Sequence, residues 1–260
     1  MIVDGKTLAE EMKIALRQQA RCKNLKIAEI WVGDNPVSAK YVARKKKFGE
    51  EIGVEVILHE LANYISQADL AEEMNKLVND EKVNGIIVQL PLPSGIDEQK
   101  ILDLIPPGKD VDALGHEARV LSPTVEAIKE ILERNNVSLV GKKVVVLGRG
   151  KLVGRPVSVW LAQEGVDVQV VDINTENPEA ILRQADIIIS GVGKLGLITP
   201  DRIREGVVLV DVGTSESAGQ LKGDADPACA DKCSLFTPVP GGVGPLTVAM
   251  LFKNLLELNS

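Results

Sequence analysis

Short apolar stretches alternate with amphipathic stretches of helical period along the first half of the chain. Runs of about four to eight apolar residues predict buried strands, and apolar residues spaced about three and four apart predict helices. These patterns predict strand 25–32, helix 37–51, strand 54–61, helix 67–79, strand 84–90 and helix 97–105. The first half therefore has a βαβαβ order followed by one further helix.

The second half of the chain repeats this alternation. Its patterns predict helix 125–134, strand 143–147, helix 153–164, strand 167–171, helix 178–184, strands 186–190 and 207–212, and a last helix 245–257. Strands separated by helices imply parallel sheets with right-handed crossovers, and largely apolar strands fit sheets that are covered on both faces. We therefore predict an α/β protein with mainly parallel sheets.

A break in the helical pattern marks the predicted domain boundary. The chain has 260 residues, which exceeds the roughly 100 to 200 residues of one typical domain. Pro106, Pro107 and Gly108 end the helix before them, because proline cannot continue a helix and glycine weakens it. We predict a first domain over 1–120 and a second over 121–244, with the helix in 245–260 packing back on the first.

Charge and composition exclude several classes of protein and of site. The net charge of −7 argues against general nucleic-acid binding, which needs a clustered basic face. Apolar runs stay far below the roughly 20 residues of a membrane helix, and the first residues lack the pattern of a secretory signal. We expect a cytoplasmic protein with no membrane partner. The three cysteines and two histidines form no metal-binding motif, so no metal site is predicted.

The clearest chemical motif is a glycine-rich turn after strand 143–147. Gly148, Gly150 and Gly154 lie between that strand and the next helix. Glycines permit a tight turn and a close approach of a pyrophosphate to backbone N–H groups, where the helix dipole favours anions. The GxGxxxG spacing is one residue longer than the commonest form, but the flanking elements match a Rossmann-like dinucleotide-binding domain. The alternative is an ordinary tight turn.

Asp172 bears on the choice of dinucleotide. It follows strand 167–171, roughly 20 residues beyond the glycines, where the motif places an acceptor for the adenosine ribose hydroxyls. A carboxylate there favours NAD, because it would repel the 2′-phosphate of NADP. Arg149 could still attract that phosphate, and Asp172 could instead be a helix cap or a solvated loop acid.

Polar residues in the first half indicate a second site. Tyr41 and Lys45 are four residues apart on helix 37–51, so their side chains share a face. A phenol can stack on a planar ligand and a buried amine can exchange protons, although lysines in a basic run are usually solvated. Gln89 interrupts an apolar strand near its carboxyl end and could hold Lys45. Asp112 lies on the loop after the proline break.

Together these segments resemble the methylenetetrahydrofolate dehydrogenase/methenyltetrahydrofolate cyclohydrolase family over nearly the whole chain. The motifs that carry the resemblance are VGDNP at 32–36, Ser38, YV at 41–42, Lys45, VQLPLP at 88–93, KDVD at 109–112 and TPVPGGVGPLT at 237–247. The resemblance implies oxidation of 5,10-methylenetetrahydrofolate with NADP or NAD, then hydrolysis of the methenyl product to 10-formyltetrahydrofolate in the same site. It also implies a homodimer formed through the dinucleotide domain.

The resemblance implies roles for individual residues. Lys45 would activate water or relay a proton in the hydrolysis, and Gln89 would tune that lysine. Tyr41 would stack against the folate, and Asp112 would bind the pterin. Further substrate contacts would come from Ser38, Val88, Leu90, Pro240, Gly241, Gly242 and Thr247. The dinucleotide would contact Gly148, Arg149, Gly150, Val153, Gly154, Pro156, Asp172, Gly191, Val192, Gly193, Val212, Gly213 and Thr214.

The chain departs from the family pattern mainly in its dinucleotide half. The usual GRSxxVG reads GRGKLVG at 148–154, and Asp172 and Ile173 replace the His-Ser of the usual HSxT. The acid loop continues with Ala-Leu rather than Gly-Phe. Two alternatives to the bifunctional enzyme therefore stay open. One is a cyclohydrolase whose dinucleotide domain is degenerate or regulatory, and the other is a non-catalytic folate-binding protein.

Overall fold

The computed structural model describes residues 1–217 and 219–260, which form two compact units. The first unit contains Glu10–Pro123 and Val248–Ser260, and the second contains Met1–Ala9 and Thr124–Thr247. The first nine residues belong to the second unit because their backbone pairs there, with the Val3 N–H donating to the Phe236 carbonyl at 2.9 Å. The functional division into a folate domain and a dinucleotide domain stays a prediction.

The helices and strands follow one another closely along the chain. In chain order they are α1 (Gly5–Ala20), β1 (Lys26–Val32), α2 (Pro36–Ile52), β2 (Glu55–Leu61), α3 (Gln67–Val78), β3 (Gly85–Val88), α4 (Glu98–Leu102), α5 (Pro123–Arg134), β4 (Val144–Leu147), α6 (Gly154–Gln163), β5 (Val168–Val171), α7 (Pro178–Leu182), β6 (Ile187–Ser190), β7 (Val208–Asp211), β8 (Ser215–Ser217), β9 (Gln220–Lys222), β10 (Leu235–Thr237) and α8 (Val243–Leu258). Each predicted element has a counterpart whose ends differ by at most three residues.

The sequence patterns missed helix α1 and the short strands β8, β9 and β10. Helix α1 begins after Asp4, whose carboxylate accepts hydrogen bonds from the backbone N–H groups of Lys6 and Thr7 at 3.1 Å. Apolar residues recur at helical spacing, and Leu16 and Ala20 are buried. Both features are local and could have been read from the sequence.

The first unit is built on a parallel sheet of order β2-β1-β3. Because side chains alternate between the faces of a strand, Ile27 and Glu29 lie on one face of β1, whereas Ala28 and Ile30 lie on the other. The face of Ile27 packs against a cluster that contains Phe48 of α2, together with residues from α1 and α8. Glu29 therefore lies on the face that α2 covers.

The second unit is built on a five-stranded parallel sheet of order β10-β7-β6-β4-β5. The chain runs from β4 to β5 on one side and then returns to β6 on the other side of β4. In open α/β sheets, ligands bind beyond the carboxyl ends of the strands at such a reversal. Strands β8 and β9 form a separate antiparallel hairpin.

The predicted fold class is confirmed: the protein is α/β with mainly parallel sheets. The return of the last helix to the first unit is also confirmed, because Ala249, Phe252 and Leu255 of α8 belong to that unit's core. None of the described helices is long and apolar enough to cross a membrane.

Candidate active site

Lys45 lies on the buried face of helix α2. Its relative exposure is 8%, whereas Arg44, Lys46 and Lys47 of the same basic run are exposed. Residues at helical spacing from Lys45, including Val42, are buried on the same face. The expectation that a lysine in a basic run is solvated therefore fails for this one residue, because helical phase turns it inward.

Gln89 holds the amine of Lys45. The Lys45 Nζ donates to Gln89 Oε1 at 2.8 Å, and the Gln89 Nε2 donates to the Leu90 carbonyl at 2.7 Å. The second hydrogen bond orients the amide so that its oxygen faces the lysine. Gln89 comes directly after β3, and its backbone N–H donates to the Ile30 carbonyl of β1 at 2.8 Å. The structure thus brings together the two residues that the sequence placed on separate elements.

Glu29 is a site residue that the sequence reasoning missed. It lies in the middle of β1 with a relative exposure of 0%, and its Oε1 is 2.5 Å from Lys45 Nζ. Burial raises the pKa of Glu29, and the neighbouring Lys45 partly opposes that rise. The signal was present in the sequence, since Glu29 is the one charged residue between Ile27 and Val32 of β1.

Asp112 shares the electrostatic environment of this pair. It is partly buried, and its pKa is raised to about 6 chiefly by desolvation, with Lys45 lowering it and the negative charges of Asp110 and Glu29 raising it. Asn254 holds the loop that carries Asp112. Its buried Nδ2 donates to the carbonyl of Val111 at 3.0 Å. Asn254 was not anticipated from the sequence, because its partners are far away along the chain.

We expect Asp112→Asn to raise the free energy of unfolding at neutral pH. A carboxyl group whose pKa rises from 3.8 to about 6 on folding contributes stability below pH 3.8, and this contribution is lost as pH rises through 6. Asparagine carries no charge to bury. The variant's advantage should therefore grow between about pH 4 and about pH 6, to on the order of 2 kcal/mol. Denaturant unfolding of both proteins across this range measures the difference.

Asp167→Asn, at an exposed position, is the control for this experiment. The difference in the free energy of unfolding between Asp167→Asn and the parent chain should not grow between about pH 4 and about pH 6. A pH-independent advantage of Asp112→Asn would contradict the argument.

The other expected substrate residues of the first unit lie on α2, at the end of β3 or just after β3. Ser38 is buried and Tyr41 is partly buried, and both share the side of α2 that carries Lys45. The guanidinium of Arg44 lies 5.6 Å from the centre of the Tyr41 ring, within cation–π distance. Val88 is buried at the end of β3, and Leu90 is partly buried after it. Their contact with substrate stays a prediction.

The glycine turn of the second unit joins β4 tightly to α6. Gly148 has a φ of +90°, which favours glycine. A Cβ on Gly154 would lie 2.2 Å from the Gly148 carbonyl oxygen, so only glycine fits at the start of this helix. Val153 precedes the helix, and no side chain caps its first turn. Pro156 lies within that first turn, where proline is tolerated.

The loops after β6 and β7 lie beside this turn. A Cβ on Gly191 would lie 2.3 Å from Val153 Cγ1, which shows how closely the loop after β6 approaches the turn. The buried Asp224 holds that loop, because its carboxylate accepts hydrogen bonds from the N–H groups of Val192 at 2.8 Å and Lys194 at 2.6 Å.

The loop after β7 is held to the same region. The Val212 N–H donates to the Ser190 carbonyl at 2.8 Å. A Cβ on Gly213 would lie within 2.3 Å of the Asp224 carboxylate. Gly193 has a φ of +76°, and Thr214 is exposed. The expected cofactor residues of three strand ends are therefore assembled at one edge of the sheet, with Asp224 as a supporting residue that the sequence reasoning missed.

Arg149 and Asp172 form an ion pair at the same edge. The Arg149 Nε lies 2.6 Å from Asp172 Oδ2, and hydrogen bonding to Arg149 is the main reason that the pKa of Asp172 is lowered. The other Asp172 oxygen accepts a hydrogen bond from the Asn174 N–H at 2.9 Å. The two residues that the sequence assigned to opposite cofactor preferences thus contact each other.

The remaining expected substrate residues, Pro240, Gly241, Gly242 and Thr247, belong to the second unit. The Gly242 N–H closes their loop by donating to the Pro238 carbonyl at 2.7 Å, and the Thr247 hydroxyl donates to the Val243 carbonyl at 3.2 Å. Pro240 is exposed.

The turn of the second unit fits a dinucleotide. The first turn of α6 has no side-chain cap that would compete with an anion. Gly150 is exposed, and the nearest atom to a Cβ built there is the Gly191 carbonyl oxygen at 3.9 Å, so the space above the turn is open. Among the described residues, no group of three or more His, Cys, Asp or Glu is placed to hold a metal ion.

Comparisons with known proteins give the family. The family model for the tetrahydrofolate dehydrogenase/cyclohydrolase catalytic domain matches residues 3–112, and the model for the NAD(P)-binding domain of that family matches residues 122–260. The bifunctional protein FolD of Staphylococcus aureus (strain MRSA252) is 39% identical over 271 residues, covering 98% of this chain and 95% of that protein.

Two solved structures are similar over almost the whole chain. The bifunctional enzyme FolD, a methylenetetrahydrofolate dehydrogenase/cyclohydrolase from Campylobacter jejuni, is 37% identical with a TM-score of 0.95, covering 99% of this chain and 98% of that chain. The Trypanosoma brucei methylenetetrahydrofolate dehydrogenase-cyclohydrolase, complexed with NADP and an inhibitor, is 34% identical with a TM-score of 0.93, covering 99% and 96%. The chain therefore belongs to the tetrahydrofolate dehydrogenase/cyclohydrolase family.

Proposed function

We propose that this protein oxidises 5,10-methylenetetrahydrofolate with NAD(P) and hydrolyses the 5,10-methenyl product to 10-formyltetrahydrofolate. Both activities follow from membership of the family. The observation that carries the hydrolytic half is the buried amine of Lys45, held between Gln89 and Glu29. The dehydrogenase half rests on the glycine turn between β4 and α6.

Lys45 is the proposed proton-transfer residue of the hydrolysis. The methenyl carbon is an electrophile, so the step needs an aligned water and a group that takes its proton. A lysine amine can do this when it is buried and held, as Lys45 is. Gln89 keeps Nζ in place, Asp112 binds the pterin, and Tyr41 offers a ring for stacking.

The oxidation depends mainly on alignment. It needs a hydride acceptor, and this is the chemistry that a nicotinamide dinucleotide supplies when bound. The residues proposed to hold the dinucleotide are those of the glycine turn, 148–154 with Pro156, and of the loops 191–193 and 212–214. Asp224 supports them by fixing the backbone of the loop after β6.

We further propose a preference for NAD over NADP. Asp172 lies after β5, where the ribose of the adenosine is expected, and it carries a negative charge at neutral pH, since hydrogen bonding to Arg149 lowers its pKa below the ordinary value. Since the Arg149 guanidinium is already paired with this carboxylate, a 2′-phosphate would have to compete for it. A carboxylate beside the adenosine ribose would therefore disfavour the doubly charged 2′-phosphate of NADP more than the hydroxyl of NAD.

Asp172→Ser is expected to shift this preference toward NADP by roughly 10-fold to 100-fold, because it removes the repelling charge and releases Arg149. The measurement is kcat/KM for each dinucleotide in the parent chain and in the variant, with binding titrations in parallel. Asp201→Ser, an exposed acid of the same unit, is the control. Strong NADP selectivity of the parent chain would overturn the preference while leaving the activity intact.

Absorbance spectroscopy tests the proposed function directly. Purified protein is mixed with 5,10-methylenetetrahydrofolate and either dinucleotide, and both the reduced cofactor and the methenyl product are followed. Turnover supports the bifunctional enzyme. Hydrolysis of added methenyltetrahydrofolate without formation of reduced cofactor would instead select a cyclohydrolase with a degenerate dinucleotide domain. The intact packing of the glycine turn does not favour that alternative.

The resemblance also implies a homodimer formed through the second unit, and the sequence patterns led us to expect a cytoplasmic location. Both stay expectations. The second unit carries exposed apolar side chains, among them Val159 and Ile173.

A further inference from the structure

We propose that Glu29 is the positioning residue that takes the proton of Lys45 when the cationic methenyl substrate binds. This inference rests on the proposed hydrolase function. It starts from a contact that the sequence reasoning missed, the 2.5 Å approach of Glu29 Oε1 to Lys45 Nζ beneath helix α2.

Glu29 is not satisfied as a structural carboxylate would be. The buried Asp224 accepts hydrogen bonds from the Ser190 hydroxyl and from two backbone N–H groups, and the buried Asp211 accepts two from backbone N–H groups. Among the described residues, neither oxygen of Glu29 accepts a well-aligned hydrogen bond, and its ion-pair partner is Lys45. A buried carboxylate with so little support tends to take up a proton.

The strand register places Glu29 and Gln89 on the same face of the sheet. Glu29 pairs with Ile87 across β1 and β3, and Gln89 follows two residues later. Partners in a parallel register point to the same face, and side chains two residues apart do so as well. Lys45 therefore has a neutral acceptor in Gln89 and an ionisable acceptor in Glu29. Once Glu29 has taken a proton, the neutral amine of Lys45 has a lone pair that can accept a proton from the reacting water.

Two charged side chains of the described residues interact with Glu29. Lys45 of α2 faces it directly, and Asp112, on the loop between α4 and α5, interacts electrostatically with both residues. With all three ionised, this group carries a net charge of −1, which complements a cationic substrate. A positive charge bound next to the Lys45 ammonium disfavours that ammonium, and the nearest group able to accept its proton is the Glu29 carboxylate.

The proton count then balances over one turnover. Substrate binding moves one proton from the Lys45 ammonium to Glu29, which leaves a neutral amine. The water oxygen bonds to the methenyl carbon, the electron pair of its C=N bond moves to nitrogen, and Lys45 takes a water proton. The bond from this carbon to N5 then breaks with its electron pair on N5, which takes the hydroxyl proton as the C=O bond forms. Glu29 finally releases its proton to solvent, so that one proton leaves for each cation hydrolysed.

Glu29→Gln tests the proposal in the full chain. Glutamine keeps the size and an oxygen for Lys45 but cannot take a proton. We expect kcat for methenyl hydrolysis to fall at least about 10-fold near neutral pH, while KM changes less than about threefold. We also expect kcat of the variant to rise more steeply with pH than kcat of the parent chain, because solvent must then take the proton.

Two further variants keep the test decisive. Glu29→Asp retains the carboxylate at a shorter reach and should recover part of the rate and the shallower pH profile. Glu55→Gln removes an exposed acid that pairs with Lys26 at 2.8 Å at the end of the same sheet, and it should behave like the parent chain.

Thermal unfolding of each variant separates loss of fold from loss of rate. An unchanged or raised kcat of a folded Glu29→Gln, with an unchanged pH profile, would overturn the inference. Absence of hydrolysis by the parent chain itself would instead overturn the proposed function.

Discussion

Lys45→Met is expected to reduce methenyl hydrolysis by about 100-fold to 10,000-fold, the range that a positioned proton-transfer group contributes. Methionine keeps an apolar side chain on the buried face of α2 but removes the amine that contacts Gln89 and Glu29. The measurement is the loss of methenyl absorbance under saturating substrate, so that the effect appears in kcat.

The basic run supplies a matched control for this variant. Lys46→Met changes an exposed neighbour on the same helix and should leave the rate unaltered. Because Lys45→Met leaves the buried Glu29 without its cation, unfolding of both variants is measured alongside. A folded Lys45→Met that hydrolyses at the parent rate would show that the amine does no proton transfer.

The second large effect is expected from Gly154→Ala, which should reduce dehydrogenase activity by about 100-fold or more. The added Cβ would lie 2.2 Å from the Gly148 carbonyl oxygen and 2.7 Å from its carbonyl carbon, and backbone atoms cannot move aside as a flexible side chain can. The turn must open, which displaces the N–H groups proposed to hold the pyrophosphate. Displacements of about 1 Å are enough to cost about 100-fold in a reaction that depends on alignment.

Methenyl hydrolysis should fall far less in Gly154→Ala, because Lys45, Gln89 and Glu29 belong to the first unit, which has its own core. Gly108→Ala is the control, since a Cβ at Gly108 meets nothing within 4 Å. Equal loss of both activities in a folded variant would show that the two units are not separable in this way.

Loss of rate in Glu29→Gln would make Glu29 a proton acceptor of the site in addition to Lys45. A lysine beside a carboxylate of raised pKa can change its protonation when a cation binds, without any exchange with bulk water before the reaction. The same environment destabilises the folded protein at Asp112, because the burial that raises the pKa of this carboxyl group lowers the free energy of unfolding at neutral pH. Both groups illustrate how perturbed pKa values concentrate where chemistry is proposed.

The α/β class, the alternation of elements and the glycine turn were predictable from the chain's local patterns. Each of these depends on residues close together in the chain. Periodicity is a property of about 4 to 15 consecutive residues, and the turn's glycines span 148–154. The pattern of helix α1 is equally local, so this helix was predictable on the same grounds.

Which polar residues contact one another depends on long-range packing. The register of β1 and β3 puts Glu29 and Gln89 on one face, and the phase of α2 turns Lys45 toward them while Lys46 stays exposed. In the second unit, the pairing of β4 with β5 brings together Arg149 and Asp172, which are 23 residues apart. Such contacts depend on strand register and helix rotation, which long-range packing sets and local sequence does not.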